Sequence, residues 1–313
     1  MRRRSLLAIP FLASGAKAQT ARPIRIIVPF APGGIIDLAA RILAEPMGAE
    51  LGQPMLIENQ PGGGATIGAR NVARAVPDGL TLLVSGAAHA VMPALYHDAP
   101  DPAREFAPIT LISQQPFLLA VHPSNPARSL PAFLQWLRGK GDTATFATTG
   151  VGAASHLAGE LLKKLAGVNF TVVPYRGTPQ AVTDLTAGRV DFMIDSQTLL
   201  APLARDNRVV GLAVTTPGRS LMLPELPSIA DVVPGFDSSS WQGMYAPAGV
   251  AEPVLTRLAA AAEVTINRPE VQRRFLEAGL QPMPTGRAAL TAFLTAETAR
   301  WVPILQATGA RGG

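Results

Sequence analysis

Two glycine-bearing segments hold most of the chemistry that this 313-residue sequence offers. The first is Pro29-Phe30-Ala31-Pro32-Gly33-Gly34, with Asp37 just beyond it. The second is Thr148-Thr149-Gly150-Val151-Gly152-Ala153-Ala154-Ser155. Each leaves an apolar run and opens a helical pattern. A loop in that place presents unpaired backbone N–H groups and the positive end of a helix dipole, so it favours anions. Glycine lets a ligand approach the backbone closely. Any α/β fold also turns corners with such loops, so one alone says little. Two of them, in two units, could face each other and hold two carboxylates. Asp37 has two readings. A carboxylate near a helix N-terminus supports that helix by ~0.3–1 kcal/mol, or it accepts a hydrogen bond from a ligand amine, hydroxyl or bridging water.

Other chemistries lack their residues. There is no G-x-S-x-G elbow, no H-E-x-x-H and no G-x-x-x-x-G-K-[ST]. The absence of cysteine excludes disulfides, thiolate metal sites, a cysteine nucleophile and a lipid-anchored N-terminal cysteine. His89, His97, His122 and His156 do not fall at metal-ligand spacing. His156 and Glu160 share a helix face at i, i+4 and read as a surface contact rather than a metal site. His89 reads as part of a small-residue loop after a strand, either touching a ligand or serving the structure. Gly62-Gly63-Gly64 fails the dinucleotide fingerprint in both registers, because Ile67 or Ala65 stands where a glycine is needed.

The elements that would position these loops alternate. Apolar runs predict strands over 24–28, 55–57, 80–84, 117–121, 145–147, 170–173, 190–194 and 209–214. Helical spacing predicts helices over 35–51, 67–75, 130–137, 155–165 and 180–187, with two more over 253–267 and 287–305. Strand–helix–strand order with apolar strands predicts a parallel sheet covered on both faces. The grammar restarts after residue 116, so two similar α/β units are expected. Their linkers are expected near residues 122–126 and 238–241.

Charge says little about partners. The chain has 27 Lys and Arg against 22 Asp and Glu. Residues 1–18 read as a secretory signal: Arg2, Arg3 and Arg4, an apolar stretch over 6–13, and Ala16-Lys17-Ala18 as an A-x-A cleavage site. Arg3-Arg4-Ser5-Leu6-Leu7 fits a twin-arginine signal as well as an ordinary Sec signal. Cleavage near Ala18 leaves 23 basic residues against 22 acidic ones, so no nucleic-acid partner is expected. No later run reaches the ~18 apolar residues of a membrane span.

At this point the residues carry a resemblance over residues 23–309. Pro23-Ile24-Arg25-Ile26-Ile27-Val28-Pro29-Phe30, then Pro32-Gly33-Gly34 and Asp37, form an opening motif. Glu58-Asn59-Gln60-Pro61-Gly62 closing at Ile67-Gly68, Pro77-Asp78-Gly79-Leu80-Thr81-Leu82 and Pro93-Ala94-Leu95-Tyr96 follow in order. Gly150-Val151-Gly152 with His156-Leu157 and Val173-Pro174-Tyr175-Arg176-Gly177 come next. Leu223-Pro224-Glu225-Leu226-Pro227, Trp241-Gln242-Gly243 and Ala246-Pro247-Ala248-Gly249 close the series. In number, order and spacing this resembles the tripartite tricarboxylate transporter receptor family, the Bug-type periplasmic solute-binding proteins.

The resemblance implies an α/β, two-domain periplasmic-binding-protein fold (Venus flytrap, type II). Domain one would comprise residues 22–121 and 241–313, and domain two residues 122–240. It implies a non-catalytic, monomeric protein without cofactor or metal. Its ligand would be a small carboxylate, or a related amide or aromatic acid, delivered to membrane permease subunits. Implied contacts are Phe30, Ala31, Pro32, Gly33, Gly34 and Asp37 in the first loop. Ser85, Ala88 and His89 follow the third strand. Thr148, Thr149, Gly150, Gly152, Ala153 and Ser155 form the glycine loop, and Asp195 ends a second-unit strand. Gln60 stands where the family commonly has Arg, and Ala153 where it has Ser. Arg176 is the nearest thing to an arginine clamp and reads first as a surface arginine. Two other classes stay open on the residues alone: an exported hydrolase-like enzyme, and a ligand-sensing module feeding a signalling receptor.

Overall fold

A computed structural model describes residues 22–220 and 222–311, so the expected signal at 1–18 lies outside the described residues. The first half opens with β1 (Ile24–Val28), α1 (Ile35–Leu51), β2 (Met55–Asn59), α2 (Thr66–Ala73), β3 (Thr81–Ser85) and α3 (Ala87–Leu95). Strand β4 (Phe106–Val121) leads into α4 (Leu130–Lys140), β5 (Thr145–Thr148), α5 (Ala154–Ala166), β6 (Thr171–Pro174) and α6 (Thr178–Thr186). Then come β7 (Phe192–Ser196), α7 (Gln197–Arg205), β8 (Val210–Val214) and β9 (Ser239–Pro247). The chain ends with α8 (Glu252–Ile266), α9 (Pro269–Glu277), β10 (Gln281–Pro282) and α10 (Arg287–Thr308).

Apolar spacing explains the helices that bear the loops. In α1, Ile35, Ala39, Ile42, Leu43, Met47 and Leu51 face inward, and Gly52 stops the helix with φ 65°. Helix α5 buries Leu157, Ala158, Leu161 and Leu162 and ends at Gly167 with φ 60°.

The sheet is mixed, which corrects the expectation of a purely parallel one. Pairs β1–β2, β1–β3, β5–β6 and β5–β7 are parallel. Strand β4 runs antiparallel to everything it pairs with. It is also the strand that joins the halves. Phe106 to Pro116 pair with β9, which in turn pairs β3, while Phe117 to Val121 pair with β7 and β8. The chain therefore passes between halves inside strands β4 and β9, the first crossing lying before residues 122–126 and the second strand beginning at Ser239. Polar side chains fill the crossing and satisfy one another there. Ser113 Oγ donates to Gln242 Oε1 at 2.7 Å, Gln115 Nε2 to Ser196 Oγ at 3.0 Å, and Thr198 Oγ1 to Gln115 Oε1 at 3.2 Å.

The C-terminal helices are three. Helices α8 and α9 lie on α1, whereas α10 packs against both α3 and α5 and so rests on both halves. Glu297 of α10 accepts from the indole N–H groups of Trp241 (2.6 Å) and Trp301 (3.0 Å), which ties the helix to β9.

Candidate functional site

One cavity lies where the loops of both halves meet. From the first half it is lined by Phe30, Ala31, Gly34, Ile35 and Ile36, and by Gly86, Ala87 and Ala88. From the second half come Thr149, Ala153, Ala154 and Ser155, then Gly177 and Thr178, with Asp195 at the end of β7. Phe117 and Ser240, at the strand crossing, form its floor. About 40 Å³ is open to the centres of water-sized molecules, so the walls stand close together.

They also touch. Ala31 N–H donates to the Arg176 carbonyl at 3.3 Å, and Tyr96 O–H to the Val151 carbonyl at 3.3 Å. A methyl at Gly177 would stand 2.8 Å from Ala31 Cβ, and one at Gly152 would stand 2.7 Å from Leu95 Cδ1. Both glycines are therefore needed for the close approach of the halves.

Four helices begin at this cavity. Gly34, Gly86, Ala153 and Gly177 precede α1, α3, α5 and α6, and none of these helices has a side-chain cap. First-turn N–H groups have no partner within their own helix. Ile35, Ile36, Ala87, Ala88, Ala154 and Ser155, which carry such groups, line the cavity. By contrast α4, which does not line it, is capped by the Ser129 hydroxyl. Among the described residues no lysine, arginine or histidine lines the cavity. An anion here would meet backbone dipoles and hydroxyls, with the Asp195 carboxyl as the one charged group beside them.

The loops expected to donate their own N–H groups use several of them internally. Gly33 N–H donates to Asp37 Oδ2 at 2.9 Å, and Pro32 has none to give. Asp37 also accepts from Arg41 Nε at 2.9 Å and Asn59 Nδ2 at 2.9 Å. Burial raises the Asp37 pKa, but Arg41, Gly33 and Asn59 outweigh it and hold the carboxyl below its usual range. Asn59 also donates to the Phe30 carbonyl at 3.1 Å. Asp37 thus fixes the shape of the loop from behind, and of its two readings the structure favours support.

The second loop is held by neutral groups. Ser155 Oγ accepts from Thr149 N–H at 3.2 Å and lies 2.8 and 3.0 Å from the Thr148 and Thr149 hydroxyls. Gly152 N–H donates to His156 Nδ1 at 3.2 Å, and Ala153 N–H to the Gly150 carbonyl at 3.1 Å. His156 and Glu160 are both buried, not a surface pair, with His156 Nε2 3.7 Å from Glu160 Oε1 and Lys163 Nζ 3.2 Å from the same oxygen. Burial pushes the His156 pKa down to about 4.

Of the residues expected from sequence, Phe30, Ala31, Gly34, Ala88, Thr149, Ala153, Ser155 and Asp195 line the cavity. Pro32, Gly33, Asp37, Thr148, Gly150 and Gly152 shape its loops. Ser85, at the end of β3, and His89, on α3, do not line the cavity. His89 is helical rather than in a loop, fully buried, with its ring 4.2 Å from Tyr245 and 4.7 Å from Phe106. Neither ring nitrogen has a partner, and burial pushes its pKa down to about 3. The expected contacts did not include Phe117, Gly177, Thr178 and Ser240, nor Ile35, Ile36, Gly86, Ala87 and Ala154 beside the contacts that were expected. Gly177 and Thr178 carried the usable signal, another strand–glycine–helix junction.

The family model described as "Tripartite tricarboxylate transporter family receptor" matches residues 39–310. The chain belongs to this family. Among solved receptors and their relatives, the periplasmic binding protein BugD is 33% identical, with TM-score 0.86 over 93% of this chain and 99% of that one. MatC from Rhodopseudomonas palustris, solved with bound malate, is 32% identical, with TM-score 0.86 over 91% and 99%. Another R. palustris protein, solved with adipate, is 30% identical, with TM-score 0.88 over 94% and 99%. The receptor has the two-domain periplasmic-binding-protein fold of these neighbours. Among the described residues no helix is long and apolar enough to cross a membrane, and no cluster of three or more His, Asp or Glu could hold a metal.

Proposed function

We propose that this receptor captures a small carboxylate in the cavity between its halves and hands it to the permease of a tripartite tricarboxylate-type transporter. The observation that carries this is the convergence of four uncapped helix N-termini, two from each half, on one narrow cavity. A micromolar Kd needs about 8 kcal/mol. Charge-assisted bonds contribute ~1.5–3 kcal/mol each, so a few from each wall suffice after ordering costs. Malate in MatC and adipate in its R. palustris relative support the carboxylate class.

The mechanism is closure. One wall binds the acid in the open form, and the other completes the donor set only when the halves meet. Only contacts unique to the closed form shift the equilibrium toward it. Crossing strands β4 and β9 are the hinge in this reading, with residues 22–121 and 241–313 moving against 122–240 except that 117–121, paired with β7 and β8, go with the second half. The protein works as an exported monomer, its leader cleaved near Ala18, and it does no chemistry on its ligand. Native mass spectrometry of freshly purified protein tests this. A retained organic acid, released unchanged on denaturation, is expected. Protein that holds no acid and binds none in titration calorimetry sinks the reading.

A further inference from the structure

Among the described residues Asp195 is the one ionisable side chain in the cavity wall. It is 3% exposed and held from one side. Its Oδ1 accepts from Ser196 N–H at 2.7 Å and from Thr178 Oγ1 at 3.2 Å. Among the described residues Oδ2 has no hydrogen-bond partner and no cation pairs with the carboxyl. Strands β4 and β5, packed on either side of β7, contain no ionisable residue. On α6 and the turn before it, Asp184 bonds Tyr175 and Arg189, and the Arg176 side chain is exposed. On α7, Gln197 accepts from Ser220 Oγ at 2.5 Å, and Arg205 stands at the far end of the helix. Across the cleft stand Ala31 and Gly34. Among the described residues nothing neutralises Asp195, and burial pushes its pKa up, to about 6.

We propose that Asp195 is the specificity determinant of this site, its free Oδ2 accepting a hydrogen bond from the ligand. The preferred ligand then bears one carboxylate for the helix N-termini and a hydroxyl, amide or ammonium donor for Asp195, not a second ionised carboxylate. This rests on the carboxylate reading above. It moves the acceptor role that Asp37 first suggested onto a residue whose oxygen is free. A second ligand carboxylate at Asp195 would set two anions together in a site without a cation, and one of them would have to take up a proton. A ligand donor removes that demand.

The test is titration calorimetry on matched pairs in which one carboxylate becomes an amide: succinate against succinamate, and glutarate against glutaramate. At pH 8 the amide acid should bind at least about tenfold more tightly in the better-fitting pair. The diacid complex carries one more proton than its separated parts. Its affinity should therefore fall about tenfold per pH unit above 6, with uptake of one proton seen as a buffer-dependent enthalpy. Asp195→Asn keeps an oxygen for Ser196 N–H and puts an amide N–H where Oδ2 was, so the preference should invert. The wild-type pairs decide the matter even if that variant folds poorly. Equal affinity within each pair at pH 8, with no proton uptake, overturns this inference alone. If no acid binds at all, the carboxylate reading fails and takes this one with it.

Discussion

The two walls of the cavity solve one problem by opposite means. Each must hold a loop in a shape that leaves the next helix N-terminus free. The first wall does so with charge: Asp37, tied to Gly33 N–H, Arg41 and Asn59. The second does so with neutral groups: the Thr148, Thr149 and Ser155 hydroxyls and the His156 imidazole. The difference follows from surroundings. Arg41 is half exposed, so water shares the charge of the first wall, whereas the His156 side chain is 3% exposed. A charge there would lose more hydration than the Glu160 carboxylate returns, and Lys163 already shares that carboxylate. Support that consumes loop N–H groups leaves the first-turn donors as the ones open to a ligand.

The largest effect should come from breaking the charged wall. Asp37→Ala leaves Gly33 N–H, Asn59 and Arg41 without their acceptor. A buried carboxylate lost from such a network costs roughly 2–4 kcal/mol. Part of the Arg41 contribution is discounted because that side chain reaches solvent. Chemical denaturation should report the loss, and ligand affinity should fall with it. A variant with wild-type stability would show that the network is ornamental.

A smaller effect should follow from forcing the walls apart. Gly177 has φ 166°, an extended conformation open to any residue, so Gly177→Ala carries no backbone strain. Its methyl meets Ala31 Cβ at 2.8 Å only when the halves touch. Stability should stay within ~0.5 kcal/mol of wild type, while affinity drops about 10–100-fold, the equivalent of ~1.4–2.7 kcal/mol. Ala31→Gly added to it should restore much of the loss. Absence of that rescue would mean the two residues do not meet in the bound form.

How much of this was legible depended on what each segment packs against. Helix α1 was readable to its ends because one face is apolar and the other polar. Helix α3 was not, because Ala87, Ala88, His89, Ala90, Val91 and Met92 are all buried and leave no alternation to read. The first part of β4 carries Pro108, Pro116 and the polar run Ser113-Gln114-Gln115, which reads as a loop until its partners are known. Those partners lie on β9, β7 and α7, far along the chain. In the site, glycine junctions announced two loops directly. Asp195 came only through the family resemblance. The contacts Ala31–Arg176 and Tyr96–Val151 belong to closure and leave no periodic trace.

The smallest effect should separate the walls by pH. Asp37 has a lowered pKa, so its bonds hold at all pH values above the ordinary carboxylate range and are lost only below it. His156 has its pKa lowered to about 4, against 6.5 for the free side chain. When the Gly152–His156 bond opens, the imidazole regains water and takes up a proton that the closed form refuses. Acidification from pH 7 to 5 therefore favours local opening of the second wall by about twentyfold, or ~1.8 kcal/mol, and leaves the first untouched. Hydrogen exchange at the Gly152 amide, corrected for its intrinsic pH dependence, should accelerate by that factor, and at the Gly33 amide it should not. His156→Gln still offers Gly152 an acceptor but cannot titrate, so it should remove the pH dependence and keep the protection. Equal acceleration at both amides would mean that acid loosens the whole molecule and that the two walls do not differ in the way their chemistry requires.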